Sequence, residues 1–234
     1  MASLEKVAYE QLIRNLIECK LPEKIATRMR TSRLCYAAYE LAKKHLAEEL
    51  FNHSVRVFCY ANFIYETEKS HLKGPDRSVH TAQLLFVACL LHDIGTTEKF
   101  NGSARFEVEG ADAAADLLRK EDIPEDDVRE VWIAIATHTC AGIAERIGVF
   151  ARLLRKGVVY DFRPSIRNKD EVMFQYAEVI ERYFRRMEVE KVLGDAVVKQ
   201  ALNKPRKAPA ASWPGCLVAA HNEDPDHQGV NPAF

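Results

Sequence analysis

LLHDIGTT, Leu90–Thr97, closes the most apolar run of the chain, LLFVACLL (Leu84–Leu91), with a histidine and an aspartate side by side. A run that is apolar on nearly all sides reads as a helix at the centre of a bundle. Two ionisable groups at its end need a reason, because an unpaired carboxylate taken out of water is costly. Two reasons are open at this point. His92 and Asp93 form a C-terminal cap, with His92 near the negative helix end. Or they hold a divalent cation that supplies the opposite charge.

Outward from this stretch the chain reads as helix after helix. Leu21-Pro22-Glu23 opens a helix with Pro in its first turn, and the apolar stripe Ile25, Met29, Leu34, Ala38, Leu41, Leu46 continues it near the 3.6-residue period. Residues 52–68 form the next helix, with Val55, Phe58, Ala61, Phe63 and Ile64. Residues 71–78 contain Gly74-Pro75-Asp76 and read as a loop. Helices follow over 81–92, 107–120, 124–139, 143–160 and 171–193, with a break at Arg163-Pro164. The alternation expected of strands does not occur. Past Asn203 the sequence turns rich in Pro, Ala and Lys and then polar, so residues 1–202 are expected to form an all-α helical bundle and 203–234 an extended tail, wrapped over it through Trp213 and Phe234.

Composition narrows the partners. With 33 Lys and Arg against 34 Asp and Glu, the formal net charge is -1, whereas nucleic acid or an anionic membrane calls for a basic surface. The longest apolar run is far short of the roughly 20 residues that span a bilayer, and the N-terminus does not read as a secretory signal. The six cysteines are scattered without a CxxC, which reads as reduced thiols in a cytoplasmic protein. A small-molecule substrate is the expected partner. Apolar helix faces permit a homo-oligomer.

The rest of the chain bears on the HD question. His53 lies in FNHSVRVF and Asp161 follows an apolar run in GVVYDF. Each alone reads as a core, capping or terminating residue. Together, His53, His92, Asp93 and Asp161 give two imidazoles and two carboxylates from three segments, a set that suits zinc, iron or manganese with positions left for water.

The order His … His-Asp … Asp on a helical chain resembles the HD-domain superfamily of metal-dependent enzymes. The phrases NHSVRVF, LLHDIGTT, RFEVEGA and IATHTCAG, in that order, resemble the branch of fungal cyanamide hydratases, over residues 52–161. The resemblance implies zinc (Fe2+ or Mn2+ as alternatives) held by His53, His92, Asp93 and Asp161, with Asp170 and Asp195 as rivals for the last place. It implies hydration of a small nitrile-like substrate, cyanamide to urea being the named case, since zinc lowers the pKa of bound water to about 7. Glu107 and His138 are the candidates for proton transfer beside Asp93, and Thr96, Thr97 and Thr139 for substrate contacts. Thr97 caps the following turn in the alternative reading, and Asn52 caps the helix of His53. Arg56, on the same face as His53, pairs with Asp93 or Glu107 as a clamp.

Other readings stay in play. Many HD enzymes cleave phosphate esters and carry a lysine soon after the HD pair; here HDIGTTEKF has threonine there, although Arg56, Arg105 and Lys99 are near in sequence. A two-iron oxygenase needs more histidines than the single His138 between Asp93 and Asp161. A non-catalytic HD-fold binding protein would carry no metal.

Overall fold

The computed structural model describes residues 21–68 and 78–234. Twelve α-helices occur among them: α1 (Leu21–Thr31), α2 (Arg33–His45), α3 (Glu48–Glu68), α4 (Ser78–Leu91), α5 (Phe106–Lys120), α6 (Glu125–Thr137), α7 (Ala144–Ile147), α8 (Val149–Phe162), α9 (Pro164–Arg167), α10 (Glu171–Tyr183), α11 (Val189–Asn203) and α12 (Trp213–Glu223). No strand occurs among the described residues. None of their helices is long and apolar enough to cross a membrane. The loop read over 71–78 lies outside the described residues up to its last position, where α4 begins.

The apolar run forms the centre. Leu84 to Leu91 are all buried to within 1% of full enclosure. Each large apolar side chain so enclosed contributes about 1.5–3 kcal/mol, so burial rather than helix propensity fixes α4. Around it, α3 packs on α4 and α8, and α5 packs on α6. Glycines permit two backbone approaches. A Cβ on Gly157 of α8 would lie 2.7 Å from the carbonyl oxygen of Val57 in α3, and one on Gly95 would lie 2.0 Å from that of Phe106 in α5. The glycine of HDIG therefore seats the turn after α4 directly on the α5 backbone.

Several helices read as continuous are broken. The stripe from Ile25 to Leu46 is split at Ser32, whose extended backbone and hydroxyl, accepting from the Cys35 amide, start α2. Gly148, fully extended, separates α7 from α8. Residues 184–188 separate α10 from α11 and contain Met187 at a φ of 52°. A break at Arg163-Pro164 is present, and Pro164 opens the short α9.

The segment after residue 203 is not wholly extended. Ser212 caps α12 by accepting from the Gly215 amide, with Pro214 in the first turn where a missing N–H costs nothing. The Pro- and Gly-rich composition that reads as tail is here a helix start. Leu217 of α12 is fully buried in the common core, and Trp213 and Phe234 pack against it.

Candidate metal centre

His92 and Asp93 leave α4 where its last turn tightens, and the Thr96 amide and hydroxyl both donate to the Asp93 carbonyl, at 3.0 and 2.7 Å. His53 comes from α3, His138 directly follows α6, and Asp161 lies in the last turn of α8. All five residues are at most 2% exposed.

The histidines are fixed in the same tautomer by acceptors that have no proton to give. His92 Nδ1 lies 2.8 Å from the Cys89 carbonyl and His138 Nδ1 lies 2.6 Å from the Ile135 carbonyl. His53 Nδ1 lies 2.6 Å from Asp161 Oδ2. In each ring Nδ1–H donates, which leaves the Nε2 lone pair facing inward. His53 Nε2 and His92 Nε2 then confront each other at 3.1 Å. Asp93 Oδ2 stands 3.2 Å from His92 Nε2 and 3.5 Å from His53 Nε2, and Asp93 Oδ1 stands 3.5 Å from His138 Nε2.

Two lone pairs and a carboxylate in van der Waals reach repel unless a positive charge joins them. Neither oxygen of Asp93 has a hydrogen-bond partner, although both are buried. Burial opposes ionisation of Asp93, but His92 and the other histidines outweigh it and hold its carboxyl well below the usual range. Burial lowers the His92 pKa; Asp93 overcomes this and the net shift is upward. His53 moves the other way, burial prevailing over the contribution of Asp161. The facing atoms of His53, His92 and Asp93 lie within 4.8 Å of one another. Two imidazole nitrogens and a carboxylate oxygen fit a divalent transition metal, with positions left open.

Asp161, expected as the fourth ligand, stands behind His53 and outside that group. Its Oδ2 accepts from His53, and Arg56 clamps both oxygens, Nε to Oδ1 and Nη2 to Oδ2, each at 2.7 Å. Arg186 Nη1 adds 2.5 Å to the Asp161 carbonyl. Burial favours the neutral acid, yet His53 and Arg56 prevail and keep the carboxyl far below its ordinary range. Arg56 therefore pairs with Asp161, not with Asp93 or Glu107. Its Nη1 also donates to the carbonyls of Phe184 and Arg185, at 3.2 and 2.8 Å, so the clamp ties α3, α8 and the 184–188 linker together. Asn52 lies inside α3 rather than capping it, and its amide reaches the Arg185 carbonyl at 3.4 Å. Asp170 caps α10, and Asp195 pairs with Lys191 at the surface.

Glu107 is fully buried but does not touch the cluster. Its Oε1 accepts from Arg105 Nη2 at 2.5 Å and from Thr139 Oγ1 at 2.8 Å. Thr139 in turn faces the cavity beside the cluster. Thr96 and Thr97 do not line that cavity; their hydroxyls close turns on the carbonyls of Asp93 and Ile94.

The cavity measures about 260 Å3, and His53, His92, Asp93 and His138 form its floor. Its walls are mostly apolar: Ala141, Val158, Phe162, Leu193, Trp213 and Phe234, with Arg155 and Arg163 also lining it. Sequence reasoning missed Val158, Leu193 and the two arginines, which nothing in their local pattern marks. Arg155 Nη1 holds the His138 carbonyl at 3.1 Å and its Nε reaches Glu145 at 3.3 Å.

The profile of the HD domain matches residues 50–223, most of the chain and every residue of the cluster. The chain belongs to the HD-domain family, whose members are generally metal-dependent hydrolases. Comparison with curated proteins finds no match.

Proposed function

We propose that the protein is a zinc-dependent hydratase that adds water to a small nitrile-like substrate, with cyanamide to urea as the example. The observation that carries this is the cavity above the cluster: small, walled largely by apolar side chains, and lacking the cations first considered for phosphate. Arg56 is spent on Asp161, Arg105 on Glu107, and Lys99 is exposed away from the cavity.

His53, His92 and Asp93 hold the ion in this reading, and Asp161 fixes the tautomer and angle of His53. The ion, when bound, supplies Lewis acidity and an activated water. His138 moves the proton. Its Nδ1 is committed to the Ile135 carbonyl, so the proton travels on Nε2, which faces both Asp93 and the cavity. The balance is R–C≡N plus water to R–CO–NH2: a C–O bond forms as one water proton passes to nitrogen, giving R–C(OH)=NH, and the second proton then moves from that oxygen to nitrogen as C=O replaces C=N. Thr139, held by Glu107, keeps its oxygen at the cavity wall as an acceptor for the substrate's N–H groups. The apolar walls exclude bulk water from the reacting centre.

Arg155 and Arg163 favour a second reading, hydrolysis of a small phosphate ester, because phosphoryl chemistry needs cations facing the phosphate. A panel assay separates the two. Zinc-loaded protein is tested on cyanamide, small nitriles, isocyanides and phosphate monoesters, each with a chelator control. Urea, amide or formamide release that the chelator abolishes supports the hydratase. Phosphate release without these products replaces it with the second reading.

A further inference from the structure

An unbroken row of ring contacts bridges the metal cluster from one histidine to another. His53 stacks on Phe162, with ring centres 4.4 Å apart. Phe162 meets Phe234 at 4.9 Å and Phe234 meets Trp213 at 5.4 Å, both edge to face. Trp213 meets Phe106 at 6.0 Å, and Phe106 meets His138 at 5.6 Å. Two of the four intervening rings come from the segment after residue 203.

Phe234 is the middle span of this arch, and its position is built. The Phe234 amide donates to the Asn231 carbonyl at 2.9 Å, and Asn231 Oδ1 accepts from the Ala233 amide at 2.9 Å. Asn231 Nδ2 anchors that turn to the Leu217 carbonyl of α12 at 3.0 Å. Beneath it lies Gly194 of α11, where even a Cβ would touch Phe234 Cδ2 at 3.6 Å. The ring is thus held from the backbone side and presents its other side to the cavity. Edge-to-face partners on both flanks fix its tilt.

We infer that Phe234 is the specificity-determining residue of this cavity: its ring sets the width available above the metal cluster, so the site takes compact substrates and refuses those with a broad group behind the reacting end. The inference deepens the proposed function and rests on the reading of the cluster as a metal centre. Phe162, which stacks on a ligand histidine, cannot change without disturbing the cluster. Phe234 touches none of the cluster rings in the ring contacts above, so it is the place where width is adjustable.

The test uses two probes with one metal-binding head and different bodies, acetohydroxamate and naphthohydroxamate. Zinc-loaded wild type, Phe234→Ala and Phe234→Leu are titrated by calorimetry, and zinc content is measured alongside. Phe234 is only partly buried, so truncation leaves the fold in place, and the leucine variant retains bulk as a check. Phe234→Ala is expected to bind naphthohydroxamate about tenfold more tightly than wild type while acetohydroxamate changes by less than about threefold, with Phe234→Leu between. An equal change for both probes, or none for either, overturns the assignment to Phe234 and leaves the metal centre standing. Failure of acetohydroxamate to bind wild type that carries its zinc overturns the metal-cavity reading itself.

Discussion

Removing the Asp161 carboxylate strands a guanidinium. Arg56 is 0% exposed and directs two of its nitrogens at Asp161. In Asp161→Ala those donors face a void, while Nη1 keeps its two carbonyls. Breaking a buried ion pair from one side costs about 3–5 kcal/mol, whereas replacing both partners by apolar groups is often neutral. For a chain of this size each kcal/mol moves Tm by roughly 2–4 °C, so Asp161→Ala is expected to melt about 6–20 °C below wild type in chelator. Asp161→Ala combined with Arg56→Met recovers most of that loss. Thermal unfolding by circular dichroism of wild type, Asp161→Ala, Arg56→Met and the double variant completes the cycle. The sign with pH is fixed as well. The native carboxyl is held far below its ordinary value, so the pair contributes fully above the unfolded pKa near 4 and less as pH falls below it. The double variant therefore loses less stability than wild type between pH 5 and about pH 2. Metal-free Asp161→Ala melting with wild type, or a double variant no better than the single, would falsify the clamp.

Saturating zinc at about 100 times its Kd adds near 2.7 kcal/mol, a rise of roughly 5–11 °C in Tm; His92→Ala and Asp93→Ala are expected to show neither this rise nor bound zinc by elemental assay. Because Asp93 raises the His92 pKa in the metal-free cluster, protons compete with zinc already above the ordinary histidine range, and the competition grows as pH falls; zinc affinity that does not change between pH 8 and pH 6 contradicts this. Glu107→Gln keeps its zinc but loosens Arg105 and Thr139, and activity is expected to fall by about 10–100-fold, the usual effect of a supporting partner; wild-type turnover returns Glu107 to a packing role. Gly95→Ala places a methyl against the Phe106 carbonyl and is expected to cost about 1–3 kcal/mol or more, read as a lowered urea midpoint.

The helices were legible because their stripes are long and periodic, and α4 because it is apolar all round. Their breaks were less so. Ser32 is a recognisable cap inside a continuous stripe, and the SWPG start of α12 was masked by its own Pro and Gly. The 184–188 linker, with Met187 at positive φ, gives no local signal, since its partners Asn52 and Arg56 lie far away in sequence. At the site, the phrases single out His53, His92 and Asp93, and the fold brings these three together. The partner of Arg56 was not, because the choice among Asp93, Glu107 and Asp161 depends on where α8 docks. Thr96 and Thr97 look like substrate contacts from their place beside HD, but their hydroxyls serve the tight turn that Gly95 allows. Trp213 and Phe234 were expected to lie over the bundle; that they lie over the metal cluster depends on packing against α11.

The three imidazoles are alike in tautomer but unequal in electronic character. His53 gives its Nδ1 proton toward a full anionic charge, while His92 and His138 give theirs to neutral peptide oxygens. That anionic partner polarises the Nδ1–H bond of the first ring more than a peptide oxygen polarises those of the other two. Nitrogen-15 resonances should therefore separate one ring from the other two, an imprint of asymmetry left by a single aspartate behind His53.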